Sequence, residues 1–124
     1  MYRLLLFFDG AIFGVIGMMF LGATGRWAQT VGISLTNPRA LTDIKATYGG
    51  MDLMLGIFFF LCAGRENWQQ AGFACSTLVL LGLFASRALG IVMHGTDKLM
   101  IQLLIAEFIL VVANGVALYK LAVI

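Results

Sequence analysis

Four long apolar runs, separated by three polar stretches, set the layout of this chain. The runs cover roughly residues 4–23, 46–63, 71–92 and 99–121. At about 1.5 Å of rise per residue, roughly 20 residues cross the hydrocarbon of a bilayer, so each run predicts a spanning helix. The first run reads as a retained helix rather than a signal peptide. Its apolar core is too long, Asp9 interrupts it, and no small-residue cleavage site precedes a polar domain. The polar stretches differ. "GRENWQQ" and "MHGTDK" are short, which predicts antiparallel neighbours. "TGRWAQTVGISLTNPRALTDIK" is long and holds the only proline, Pro38. It predicts an extended polar loop between helices 1 and 2. In it Arg26 and Trp27 form an interfacial anchor, Asn37-Pro38 makes a turn, and Thr42 caps the second helix. The expected fold is all-α: one integral-membrane four-helix antiparallel bundle over residues 1–124, with both termini on one side.

Composition agrees with that class. The 124 residues are 61% hydrophobic and 11% charged, where a soluble domain averages about 25% charged. A net charge of +2 is too small to imply nucleic acid. Lys and Arg near the membrane ends are Arg3, Arg65 and Lys120 on one side and Arg26, Arg39, Lys45 and Lys98 on the other. That balance does not fix the orientation. Cys62 and Cys75 read as small buried hydrophobes, not as a disulfide framework, and the methionines read as adaptable filler.

Candidate chemistry concentrates in "LTDIKATYGGMDLMLG", residues 41–56. Lys45, Tyr48 and Asp52 are three and four residues apart, which stacks them on one face of an α-helix. Asp52 lies about 10 Å in from Lys45, and Glu107 roughly 12 Å into the fourth helix. Arg87 sits near the same end of the third. A lone charge at mid-bilayer costs about 2.5–3.5 kcal/mol, so Asp52, Arg87 and Glu107 are expected to face the bundle interior and pair. Gly49, Gly50 and Gly56 leave room beside them. Lys45, Tyr48, Gly49, Gly50, Asp52, Arg87 and Glu107 are therefore the ligand-binding candidates, lining an elongated cavity. Asp52 and Glu107 are the candidate acid–base groups. The competing reading is a structural ion-pair network that fixes helix register, with Tyr48 an ordinary interfacial aromatic.

Other features are read for packing first. Asp9 and Asn114 are expected to pair between the first and fourth helices. Gly10 and Gly14 form a GxxxG, continued by Gly17, which seats a neighbouring helix of the same chain or a second copy in a homodimer. No G-x-S-x-G, P-loop or His cluster occurs, and Ser76 and Ser86 lack a nearby base. With one histidine, His94, a metal site with Asp52 and Glu107 is not expected. No cofactor is predicted, and no catalytic motif argues for an enzyme.

"KATYGG" at 45–50, Arg87, "HG" at 94–95 and "AEFIL" at 106–110 resemble a family of small bacterial four-helix membrane proteins known as a domain of unknown function. Its pattern is R-A-x-Y-G-G opening the second helix, an Arg closing the third, a Gly in the next loop and a Glu in the fourth. Lys45 stands where the pattern has Arg, which removes a bidentate clamp there. The resemblance implies a four-helix architecture in a bacterial inner membrane and brings no activity. More remotely, the layout is similar to DoxX-like proteins and to a sterol-handling group with acidic residues in a buried pocket. Three functions fit these observations. One is binding of a membrane lipid or isoprenoid-like amphipathic molecule through the polar cluster. A second is an accessory or assembly subunit of a larger membrane complex. The third is an intramembrane isomerase-type acid–base enzyme.

Overall fold

The computed structural model describes residues 2–34 and 36–123. It is built of helices: α1 (Arg3–Gly22), α2 (Thr24–Thr30), α3 (Pro38–Ile44), a π-helical segment (Lys45–Met51), α4 (Asp52–Gly64), a 3₁₀ turn (Glu66–Trp68), α5 (Gln69–His94) and α6 (Lys98–Val123). Among the described residues no strand occurs. Four stretches are long and apolar enough to cross a membrane: Arg3–Gly22, Pro38–Gly64, Glu66–His94 and Lys98–Val123. The chain divides into two compact units, one over Arg3–Arg65 and one from Glu66 onward.

In the first unit the connection after α1 is not an extended loop. Ala23 leaves helical geometry at φ −145°, ψ 61°, the buried Thr24 hydroxyl donates back to the Phe20 carbonyl, and α2 follows. Gly32, at φ +85°, ends α2. The Gly32 N–H donates to the Gln29 carbonyl at 3.0 Å and the Ile33 N–H to the Ala28 carbonyl at 2.8 Å. This crossed pair closes a helix on a left-handed glycine.

The second span begins at Pro38, eight residues before the expected start at residue 46. The Asn37 side chain accepts from the Ala40 N–H at 2.9 Å, and proline at the first helical position gives up only a donor that would have had no partner. Asn37-Pro38 is thus a helix start rather than a turn. Thr42 is no cap: it lies inside α3 and donates to the Pro38 carbonyl at 3.0 Å.

α1 and α4 pack closely. Phe7 meets Phe60 with ring centroids 5.9 Å apart, and Phe13 meets Phe59 at 5.5 Å. Between these pairs the helices approach through glycine. A Cβ on Gly56 would lie 2.6 Å from the Gly14 nitrogen, and one on Gly10 would lie 3.0 Å from the Gly56 carbonyl oxygen. Small residues on both sides let two backbones touch, so that dispersion acts over a close contact.

In the second unit α5 and α6 are joined by three residues, 95–97. Gly95, at φ +84° and ψ −178°, holds a conformation open only to glycine, and Asp97 accepts from the Met100 N–H at 2.9 Å to start α6. Phe84 packs on Phe108 at 5.6 Å, and a Cβ on Gly115 would lie 4.0 Å from the Thr77 methyl. Cys62 is buried and Cys75 half-buried, both as thiols.

Candidate functional site

The seven candidate residues divide between the units. Lys45, Tyr48, Gly49 and Gly50 lie on the π-helical segment and Asp52 opens α4. Arg87 lies on α5 and Glu107 on α6.

In the first unit, the sequence KATYGGM forms a π turn inside an otherwise continuous span. Such a turn closes its hydrogen bonds over five residues instead of four and is concentrated at functional positions. It lies where the second span packs closely on α1. A Cβ on Gly17 would lie 2.8 Å from the Gly49 carbonyl oxygen and would also strike the Leu53 backbone. Gly49 is buried, and a Cβ there would lie 2.9 Å from the Leu21 side chain. The backbone is therefore pressed flat against α1 at this point. Because a π turn holds more residues per revolution, each residue advances by a smaller angle than in an α-helix. Through the π turn the angular spacing of Lys45, Tyr48 and Asp52 therefore differs from the α-helical spacing on which the expected stripe rests.

Tyr48 stacks on Phe20, centroids 5.1 Å apart and planes at 28°, and it is 38% exposed. Gly50 has open space where a side chain would stand. Asp52 is half-buried. Within this unit, among the described residues, the side chains of Lys45, Tyr48 and Asp52 make no hydrogen bond or ion pair. An ionisable group in an apolar span is costly to leave so. Asp9, on α1, is buried as well.

In the second unit the two candidates meet directly. The Arg87 Nε donates to Glu107 Oε1 at 2.8 Å and Nη2 to Oε2 at 2.9 Å. This is the bidentate fork that makes Arg–carboxylate pairs strong and directional. A third nitrogen, Nη1, reaches the Met100 sulfur at 3.4 Å. Glu107 is buried, and the Arg87 side chain is 24% exposed. Sequence reasoning treated Met100 as filler. The available signal was its spacing: Met100 precedes Glu107 by seven residues, two helical turns on one face.

Ser76 and Asn114 are also fully buried, and the Asn114 amide donates to the Leu110 carbonyl at 2.9 Å. The Thr77 hydroxyl is buried with no hydrogen-bond partner among the described residues. Neither of two open surface grooves is lined by the candidates: one is bounded by Asn37, Pro38 and Arg39, the other by Phe8, Ala11, Ile12, Val15 and Ile16. Among the described residues, no three His, Cys, Asp or Glu side chains gather where they could share a metal ion.

Residues 1–118 match a family model described as Domain of unknown function (DUF4345). No curated protein and no solved structure matches the chain. The chain belongs to the DUF4345 family.

Proposed function

We propose that this DUF4345 chain is an integral membrane protein whose four long helices form an antiparallel bundle, both termini on one side of a bacterial inner membrane. We propose further that it binds one amphipathic molecule, a lipid or isoprenoid-like compound, beside the π turn. Insertion is supported by the four spans and by the apolar side chains left on the surface, with Val92 83% exposed and Leu4 74%. Surfaces of that kind suit lipid and not water.

The observation that carries the binding reading is the state of Tyr48 and Asp52. They sit in an apolar span, on and beside a π turn, with no hydrogen bond or ion pair in their own unit and open space at Gly50. A few convergent polar groups in apolar surroundings suit the head of an amphipathic ligand. A ligand hydroxyl or ammonium donating to Asp52 would offset the cost of that carboxyl in hydrocarbon. The second reading, an accessory subunit in which the polar groups only fix packing, draws on Arg87 and Glu107. They already satisfy each other, so that pair supports helix register more than ligand capture.

The test is retention of a co-purifying molecule, measured by native mass spectrometry on protein extracted in mild detergent. Wild type is expected to hold one amphipathic species. Gly50→Leu fills the open space and Asp52→Asn removes the charge at constant shape, so each should lower its occupancy several-fold while the melting temperature stays near wild type. Equal occupancy in all three proteins would overturn the binding reading and leave the accessory-subunit reading in its place.

A further inference from the structure

A different part of the first unit carries a charge imbalance. Residues 24–51 contain three cations, Arg26, Arg39 and Lys45, and one anion, Asp43. All four are exposed. Among the described residues, no side chain of the three cations forms an ion pair or a hydrogen bond. The fold gathers them at one end of the unit. Phe20 stacks on Tyr48, and Leu21 packs at Gly49, so the C-terminal end of α1 is level with the π turn. α2, with Arg26, continues from that end. α3, with Arg39, and then Lys45 precede Tyr48 on the second span. α2 and α3 are themselves in contact. Arg26 stands over the Trp27 ring, 5.5 Å from its centroid, and a tryptophan beside the end of an apolar span belongs to the headgroup layer. On the membrane reading proposed above, the cations then stand at headgroup level.

We propose that this end of the first unit, α2, α3 and the start of the π turn, is a binding surface for the headgroup phosphate of an anionic phospholipid. Arg39 and Lys45 supply charge from the second span and Arg26 from α2. The occupant follows from charge complementarity and position: a net positive surface at the level of a headgroup layer meets phosphate before anything else. Basic residues beside a span are each worth about a fivefold preference for anionic lipid, and the effect falls off within a Debye length. The surface shares Lys45 with the amphipathic-ligand candidates but involves neither Gly50 nor Asp52, and its readout is headgroup charge, not occupancy of a co-purified molecule.

The experiment titrates delipidated full-length protein in neutral detergent with phosphatidylglycerol and with phosphatidylcholine of the same acyl chains. Bound lipid is counted by native mass spectrometry. Wild type is expected to prefer phosphatidylglycerol at least fivefold. The triple variant Arg26→Gln, Arg39→Gln, Lys45→Gln should lose that preference, and Lys120→Gln should keep it. On wild type alone, raising salt from about 50 mM to about 500 mM should shrink the preference severalfold, a result that does not depend on whether the triple variant folds. Equal binding of the two lipids by wild type would overturn the proposal. So would an undiminished preference in a folded triple variant, or displacement of phosphatidylglycerol by millimolar inorganic phosphate, which would mark a site for the free anion.

Discussion

The two units hold their helix pairs by opposite means. In the first, α1 meets the second span backbone to backbone through Gly10, Gly14, Gly17, Gly49 and Gly56, with aromatic pairs, Tyr48 on Phe20 among them, beside that contact. In the second, α5 and α6 are tied by the Arg87–Glu107 fork, and of the glycines there, a Cβ on Gly82 or Gly90 would meet nothing within 4 Å. Both are answers to one physical problem. Long helices apolar on every side carry few groups that specify their pairing, so either dispersion over a close approach or a polar interaction does so. The difference teaches where function has room. Where glycines hold the pair, the Tyr48 hydroxyl and the Asp52 carboxyl make no hydrogen bond or ion pair among the described residues of their unit. Where a charge pair holds it, Arg87 and Glu107 are spoken for.

The comparison breaks most visibly at Gly17. Gly17→Leu drives a side chain into the Gly49 carbonyl and the Leu53 backbone, neither of which can step aside. Overpacking of this kind costs on the order of 3 kcal/mol or more, and the variant should yield little folded protein in detergent. Gly14→Leu, whose Cβ has open space, should melt close to wild type. If the two variants melt together, backbone contact is not what holds the first unit.

Next in size is the clamp. Glu107→Ala leaves the Arg87 guanidinium without its carboxylate, which should cost about 2–3 kcal/mol, below the full range for a buried pair because Arg87 is partly exposed. The double variant Arg87→Met, Glu107→Met should recover most of that loss, since replacing both members of such a pair by apolar groups is often near neutral. A double-mutant cycle from denaturation midpoints measures the coupling; additive single losses would mean that the fork does not tie α5 to α6.

The smallest effect should come from Tyr48→Phe. The hydroxyl makes no hydrogen bond in its unit and the stacking on Phe20 is kept, so stability should change by less than about 0.5 kcal/mol. A loss several times larger would show that the hydroxyl is a structural group after all, and the contrast between the units would lose its sharper edge.

The four spans were legible because an apolar run of the right length has few alternatives, and the glycine spacing at 10, 14 and 17 pointed at a helix-packing face. The start of the second span was legible too, in Asn37-Pro38, but the polar residues around it argued for a loop, and local capping chemistry prevailed over composition. α2 was hidden for the same reason, although Gly32 carried the signal of a helix end. The π turn was out of reach. It sits where Gly17 and Leu21 pack against Gly49, a tertiary contact, and KATYGG has no local feature that separates π from α hydrogen bonding. The α-helical spacing assumed for Lys45, Tyr48 and Asp52 does not hold through this turn. Burial of Ser76 and of the Thr77 hydroxyl gave no signal either, since a short hydroxyl suits any face of a helix.

The π turn has one more consequence, for inheritance. A wide turn takes up one residue more than an α turn and leaves the helices on either side facing as they did. Length at residues 45–51 is therefore negotiable in a way that it is not at Gly17 or Gly56. Loss of a single codon here would tighten the turn to α geometry and leave α4 seated on α1, whereas loss of one codon at residues 53–60 would rotate every later contact on that face out of place. A span built this way can tolerate a one-residue deletion in its middle, and among descendants of this chain, changes in span length should gather at this turn.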